Sequence, residues 1–253
     1  MKEVPRTAII LGTGLGKMAE SLRIEVSIRY EEIPHFPVST VDSHAGSLEL
    51  AVLQDTPVLV LNGRFHFYEG YTMQEVIFPI RVLKLLDVDT LLISNAAGGM
   101  NPDFEIGDIM LINDHINLMP NPLVGPHDPF FGDRFPDMSE TYDRELLEKA
   151  KGFAGELGTP VREGCYVGVT GPTLETPKEY QYMRFIGGDA VGLSTVPEAI
   201  AAHQMGIRIF ATSVITDLGV PGKIVKLTLQ DVIDVAEQTA PRLSALFVKM
   251  VTE

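Results

Sequence analysis

The feature that most constrains the fold is a unit that recurs along the chain: a short apolar run of buried-strand type that stops abruptly at glycines or polar residues. Thr7–Leu11 runs into Gly12-Thr13-Gly14-Leu15-Gly16, Pro57–Asn62 into Gly63-Arg64-Phe65-His66, and Thr90–Ser94 into Asn95-Ala96-Ala97-Gly98-Gly99. Gly164–Val169 ends in Thr170-Gly171-Pro172, the run from Asp189 ends in Leu193-Ser194-Thr195, and Ile207–Ile215 ends at Thr216-Asp217. Between these runs lie segments with helical spacing, such as Met73, Val76, Ile77, Ile80, Leu83 and Leu86. Strands alternating with helices argue for an α/β fold, a mainly parallel or mixed sheet covered on both faces. In open sheets of this kind, ligands gather beyond the strand ends. Six strand ends with polar or glycine-rich tails therefore point to one composite site.

At 253 residues with 45% hydrophobic composition, the chain can form one large domain over residues 1–253 around a single core. A formal charge of −14 opposes non-specific binding to nucleic acid or anionic membrane, so an anion-binding site must make its positive potential locally. Cys165 is the only cysteine, which excludes an internal disulfide and suits a reducing compartment. The stretch from Met1 to Arg6 leads into a strand-like run without a long apolar segment, and no run reaches membrane-spanning length. The expectation is a soluble, cytoplasmic protein.

The densest chemistry lies in Gly63-Arg64-Phe65-His66-Phe67-Tyr68-Glu69-Gly70-Tyr71. In an extended segment Arg64, His66 and Tyr68 share one face, because side chains alternate. Arg offers a planar fork for phosphate or carboxylate, and His adds a donor. Solvated surface groups are the alternative reading. Gly12 to Gly16 suits either a phosphate loop or a tight turn, and its spacing departs from the dinucleotide fingerprint. Ser194 or Thr195 is placed to cap the helix opened by Pro197-Glu198, whose N-terminus suits an anion. Glu175 is either a first-turn acid for the helix near Pro177 or a reader of substrate N–H groups. The long aperiodic stretch from Asp114 to Pro136 carries Phe130, Phe131 and Phe135, which suit closing a site, reaching a neighbouring subunit, or plugging the core.

Taken in order, Gly12-Thr13-Gly14-Leu15-Gly16, His44-Ala45-Gly46, Gly63 to Tyr71, Asn95 to Gly99, Gly171-Pro172-Thr173-Leu174-Glu175-Thr176 and Gly192-Leu193-Ser194-Thr195-Val196-Pro197-Glu198 resemble the homotrimeric purine nucleoside phosphorylases that favour 6-oxopurines. The resemblance spans about Thr7 to Val248. It implies the nucleoside phosphorylase fold, phosphorolysis of purine nucleosides to free base and pentose 1-phosphate, inorganic phosphate as co-substrate, and no metal or organic cofactor. By the same resemblance, phosphate is held by Thr13, His44, Arg64, His66, the backbone of Ala96, and Ser194. The sugar meets Tyr68, Tyr166 and Leu193, the base meets Glu175 and Asp217, and Phe131 reaches the site of the adjacent subunit. His66, Glu175 and Asp217 are the expected catalytic groups.

Two positions depart from the family pattern. Asp217 stands where 6-oxopurine-specific members commonly carry Asn, and Leu229 stands where a His often meets the 5′-hydroxyl. Asp217 can donate to a leaving purine only when protonated; ionised, it accepts from a 6-amino group. Leu229 leaves room for a less polar 5′ group, so a methylthioadenosine phosphorylase is the alternative. Against it stands Glu175, since adenine has no proton on N1. From other classes, a non-catalytic nucleoside-binding protein remains possible on the sequence alone, while a dinucleotide-dependent oxidoreductase lacks the required glycine spacing.

Overall fold

A computed structural model of the chain describes residues 5–12, 22–38 and 46–253. Thr13 and His44, both expected at the phosphate site, lie outside the described residues.

Nine strands and five α-helices are found among the described residues: β1 (Thr7–Leu11), β2 (Arg23–Arg29), β3 (Ser47–Leu53), β4 (Thr56–Asn62), α1 (Met73–Leu85), β5 (Thr90–Gly99), β6 (Ile109–Asn117), α2 (Arg144–Glu156), β7 (Val161–Gly168), α3 (Pro177–Phe185), β8 (Ala190–Gly192), α4 (Val196–Gln204), β9 (Arg208–Leu218) and α5 (Leu229–Thr252). The strands form one mixed sheet in the order β2-β3-β4-β1-β5-β8-β7-β6-β9. Parallel pairings join β1 to β4 and β5, β5 to β9, and β7 to β6 and β8. Antiparallel pairings join β2 to β3, β3 to β4, β5 to β8 and β6 to β9. The mixed α/β architecture expected from the sequence is present, with one addition. Because β9 pairs with β5 as well as β6, the second half of the sheet closes on itself.

The apolar runs occupy the sheet centre. Ile9 and Ile10 of β1, Val58 and Val60 of β4, Leu91 to Ile93 of β5, Ile109 to Ile112 of β6, and Ile209 and Phe210 of β9 are all buried. These strands are apolar on consecutive positions, as layers buried on both faces require. Thr72 caps α1 by accepting from the Glu75 amide, and Glu75 accepts from the Thr72 amide, so the helix starts where the polar cluster ends.

Three elements differ from the sequence expectation. β2 has no counterpart in it; its alternating Ile24, Val26 and Ile28 lie exposed on an edge strand that has only β3 beside it. β5 continues through Asn95 to Gly99, and β6 through Asn117, where loops were expected. Small and polar residues stay extended there because β9 beside β5, and β7 beside β6, supply backbone partners.

β5 is the pivot of the sheet. Its first half, Thr90 to Ile93, pairs with β1, and its last residues, Gly98 and Gly99, pair with β8. Between them, among the described residues, Ser94 to Ala97 pair with β9 alone, and this stretch of strand edge borders a cavity. Gly12 packs β1 against the start of that gap, where a methyl group would sit 2.5 Å from the Ser94 carbonyl oxygen and 2.9 Å from Asn95 Cα. Backbone cannot yield as a flexible side chain does. Gly12→Ala is therefore expected to lower the free energy of unfolding by about 1–3 kcal/mol. Urea unfolding of the two proteins checks this, and coincident midpoints would show that β1 and β5 spread at no cost.

Candidate active site

A cavity of about 390 Å³ opens at the uncovered edge of β5. It is lined by Asn95, Ala96, Ala97 and Gly98 from β5, by Arg64, His66 and Tyr68 beyond β4, and by Leu193 and Ser194 between β8 and α4. Glu175, Tyr180, Thr216 and Asp217 line its far end, and Leu229 and Val232 of α5 stand beside them.

At one end the groups suit an anion. Gly63 turns the chain at φ 113° as β4 ends, which carries Arg64 into the gap. Arg64 Nη1 donates to the Ser94 carbonyl and to Ser194 Oγ, each at 3.0 Å. Its Nε lies 3.2 Å from Glu198 Oε1, and both side chains are nearly fully buried. Among the described residues Nη2 is buried without a hydrogen-bond partner. A buried guanidinium N–H of this kind is a strong donor to a phosphate oxygen. Glu69 Oε1 accepts from the His66 amide at 2.8 Å and lies 3.1 Å from ring Nδ1, which fixes the imidazole. The ring stacks on Tyr68 with centroids 4.7 Å apart.

Arg64, His66 and Tyr68 do meet in one cavity, but strand alternation is not the cause. Phe67 to Glu69 form a single 3-10 turn, which redirects Tyr68. Thr195 occupies the N-cap of α4 at φ 67°, and its side chain does not cap the helix; Asn95 Nδ2 donates to its Oγ1 at 2.9 Å instead. A non-glycine residue in that region costs about 1–3 kcal/mol and persists only when its surroundings enforce it. Ser194, just before this residue, faces the same cavity as Arg64.

The opposite end is acidic. Thr216 Oγ1 donates to Asp217 Oδ1 at 3.0 Å, and Tyr180 Oη donates to Oδ2 at 3.1 Å. Burial raises the pKa of Asp217, and these two hydroxyls counteract it. Burial likewise raises that of Glu175, with the Asp217 charge adding to it. Glu175 lies ahead of α3, where Thr176 is the N-cap and Glu179 closes the capping box, so the first-turn role belongs to Glu179. Gly98 makes room for the acid; a Cβ there would come 3.0 Å from Asp217 Oδ2.

Between the two ends lie Tyr68 and Leu193. Tyr166 stands behind the wall rather than in it: it is fully buried, and its hydroxyl accepts from the Ser194 amide at 3.5 Å. Phe131 lies elsewhere, 4.6 Å from the Arg81 guanidinium, in a second cavity with Arg134 and Gln204. Phe130 and Phe135 beside it are exposed. Sequence reasoning did not single out Asn95, Tyr180 or Thr216, and it read Glu198 only as a helix opener. Glu198 meets Arg64 across 134 positions of sequence, and no local pattern announces such a pair.

Among the described residues no cluster of three or more His, Cys, Asp or Glu side chains has the arrangement of a metal site. None of the helices there is long and apolar enough to cross a membrane.

Residues 6–252 match the family described as the phosphorylase superfamily. The chain is 46% identical to purine nucleoside phosphorylase 1 of Bacillus subtilis, covering 99% of this chain and 92% of the relative. It is 45% identical to the purine nucleoside phosphorylase of Rattus norvegicus, over 100% of this chain and 90% of that one. Among solved structures, Schistosoma mansoni purine nucleoside phosphorylase in complex with adenosine superposes with a TM-score of 0.92 at 39% identity, over 100% of this chain and 92% of that one. Isoform 2 from the same organism, in complex with cytosine and ribose-1-phosphate, gives 0.93 at 41% identity with the same coverage.

Removing one partner of a buried ion pair leaves an uncompensated charge. Glu198→Ala is accordingly expected to lower the free energy of unfolding by about 3–5 kcal/mol. A loss below about 1 kcal/mol in chemical denaturation, the value typical of an exposed pair, would contradict the structural role given to this contact.

Proposed function

The chain belongs to the phosphorylase superfamily and is an enzyme of purine nucleoside phosphorolysis; we propose that the cavity at the β5 gap carries out that reaction. Phosphate sits at the end formed by Arg64, His66, Ser194, the Ala96 backbone and the α4 N-terminus, with Thr13 and His44 as further ligands. The observation that supports this most directly is the buried Arg64 Nη2, a charged donor with no hydrogen-bond partner among the described residues. Glu198 offsets part of the Arg64 charge, so the bound phosphate keeps electron density for attack.

A phosphate oxygen attacks the anomeric carbon as the bond to purine N9 breaks, and the electron pair leaves with the base. The pentose packs on Tyr68 and Leu193, with Tyr166 backing Ser194. Glu175 accepts from N1–H of a 6-oxopurine, and Asp217 faces N7 and the 6-substituent. Holding both reactants in line is the main contribution of such a site, since positioning alone supplies about 7–11 kcal/mol in favourable cases. His66, Glu175 and Asp217 are the groups proposed to act on the reacting atoms and the base.

The proposal extends to the whole molecule. Residues 1–253 act as one domain, inorganic phosphate is the co-substrate, and no metal or organic cofactor takes part. The assembly is a homotrimer in which Phe131 reaches a neighbouring site; its position outside the cavity of its own chain supports this. A cytoplasmic location is supported by the single cysteine and by a net charge of −14, which disfavours nucleic acid and anionic membranes as partners.

A second reading, methylthioadenosine phosphorolysis, is favoured by one observation: Leu229 and Val232 put apolar groups at the cavity. Parallel assays of inosine, guanosine, adenosine and methylthioadenosine, with and without phosphate, decide between them. Phosphate-dependent loss of inosine and guanosine is expected, and reaction of methylthioadenosine alone would transfer the assignment to the second reading. Arg64→Ala is expected to lower kcat/KM for phosphate by about a hundredfold or more, the worth of charged hydrogen bonds to an anion. Glu175→Gln is expected to lower kcat/KM for inosine by about a hundredfold while leaving KM for phosphate nearly unchanged. An equal rise in phosphate KM would mean that Glu175 supports the whole cavity rather than the base.

A further inference from the structure

Asp217 receives a hydroxyl on each carboxylate oxygen, Thr216 on Oδ1 and Tyr180 on Oδ2. Tyr180 belongs to the first turn of α3 and is buried, and the same hydroxyl interacts with Glu175. Burial and the two carboxylates push its phenol well above the usual tyrosine range, so it stays a donor. The ring lies against the backbone of Gly219, where a Cβ would come 2.2 Å from Tyr180 Cδ1. Two donors favour the ionised form of Asp217, while its burial favours the protonated form. Glu175 is the other titratable group facing it; β5 opposite contributes Gly98, and α5 contributes Leu229 and Val232, none of them ionisable.

The two forms of Asp217 suit different bases. Ionised, it accepts N–H groups, and a departing 6-aminopurine protonated at N7 offers two on one edge. Protonated, it donates, which suits the acceptor edge formed by O6 and N7 of a 6-oxopurine. Resting on the phosphorolysis reading above, we propose that Tyr180 is a specificity-determining positioning residue: its hydroxyl, with that of Thr216, sets the proton on Asp217 and thereby the choice between 6-amino and 6-oxo purine nucleosides.

The test is the ratio of kcat/KM for adenosine to that for inosine, followed from about pH 5 to pH 8, between the ordinary carboxylate range and neutrality. A ratio cancels effects common to both substrates, including phosphate ionisation and partial unfolding. In the unaltered protein the ratio rises with pH as Asp217 loses its proton. Tyr180→Phe keeps the ring and removes the hydroxyl; loss of that hydrogen bond raises the Asp217 pKa, so the rise moves to higher pH by about one pH unit. Midway between the two midpoints the ratio falls by about threefold, and below both it falls by up to about tenfold. Thr216→Val, which removes the donor on Oδ1, shifts the rise in the same direction, and Asp217→Asn leaves a ratio independent of pH. Equal losses on both substrates with no shift would reduce Tyr180 to a packing residue and overturn the proposal. A shift in Tyr180→Phe without one in Thr216→Val would assign the effect to Glu175 and overturn it as well. If the unaltered protein cleaves inosine with a pH-independent ratio, the proposal fails while phosphorolysis stands. No phosphate-dependent cleavage of either nucleoside would overturn both.

Discussion

Everything in this molecule that bears on chemistry depends on β5 losing one neighbour before it gains another. Up to Ile93 it is held by β1, from Gly98 by β8, and between them, among the described residues, only β9 continues the ladder. Backbone groups left at such an edge must find partners, because an unpaired buried amide or carbonyl costs as much as a lost hydrogen bond. Arg64 supplies one, donating to the Ser94 carbonyl, and the rest of the edge faces the cavity. The opening is thus a consequence of strand order. At its far end the register of β5 on β9 shifts between Ala97 and Gly98.

Around that edge the charges are divided. Arg64 and Ser194 stand at one end, Glu175 and Asp217 at the other, and the apolar and aromatic surfaces of Leu193 and Tyr68 line the space with them. Neither end is left to itself. Glu198 sits on Arg64, Glu69 on His66, and Tyr180 and Thr216 on Asp217. Each of these partners contacts a group that lines the cavity; Glu198 and Tyr180 arrive from distant stretches of chain, whereas Glu69 and Thr216 are local. A nucleoside phosphorylase needs this division, because an anion must approach one face of the sugar while negative charge leaves from the other.

Much of this was legible in the residues. Buried apolar runs with polar tails predict both the mixed sheet and the convergence of strand ends, and Arg64, His66, Tyr68, Ala96, Glu175, Leu193, Ser194 and Asp217 do share one cavity. Period-two alternation gave the right grouping of Arg64, His66 and Tyr68 for a wrong reason, since a 3-10 turn places Tyr68. Capping preferences put Thr195 at the start of α4 but missed its use as a partner for Asn95. The edge strand β2 was missed although Ile24, Val26 and Ile28 alternate, and the extension of β5 through Gly99 was missed because small residues carry little periodic signal.

What the sequence by itself determined is the set of local choices: which runs are strands, where glycine permits a turn or a close approach, and which polar types are offered at strand ends. These follow from steric and solvation rules that act over a few residues. What only the tertiary structure decided is the pairing of groups far apart in sequence, such as Arg64 with Glu198 and Tyr180 with Asp217, together with the closure of β9 on β5. Those outcomes depend on strand order and helix placement, and burial then gives them their strength. Isolated in water the same side chains are ordinary; packed at the β5 gap, their charges and protons are set by one another.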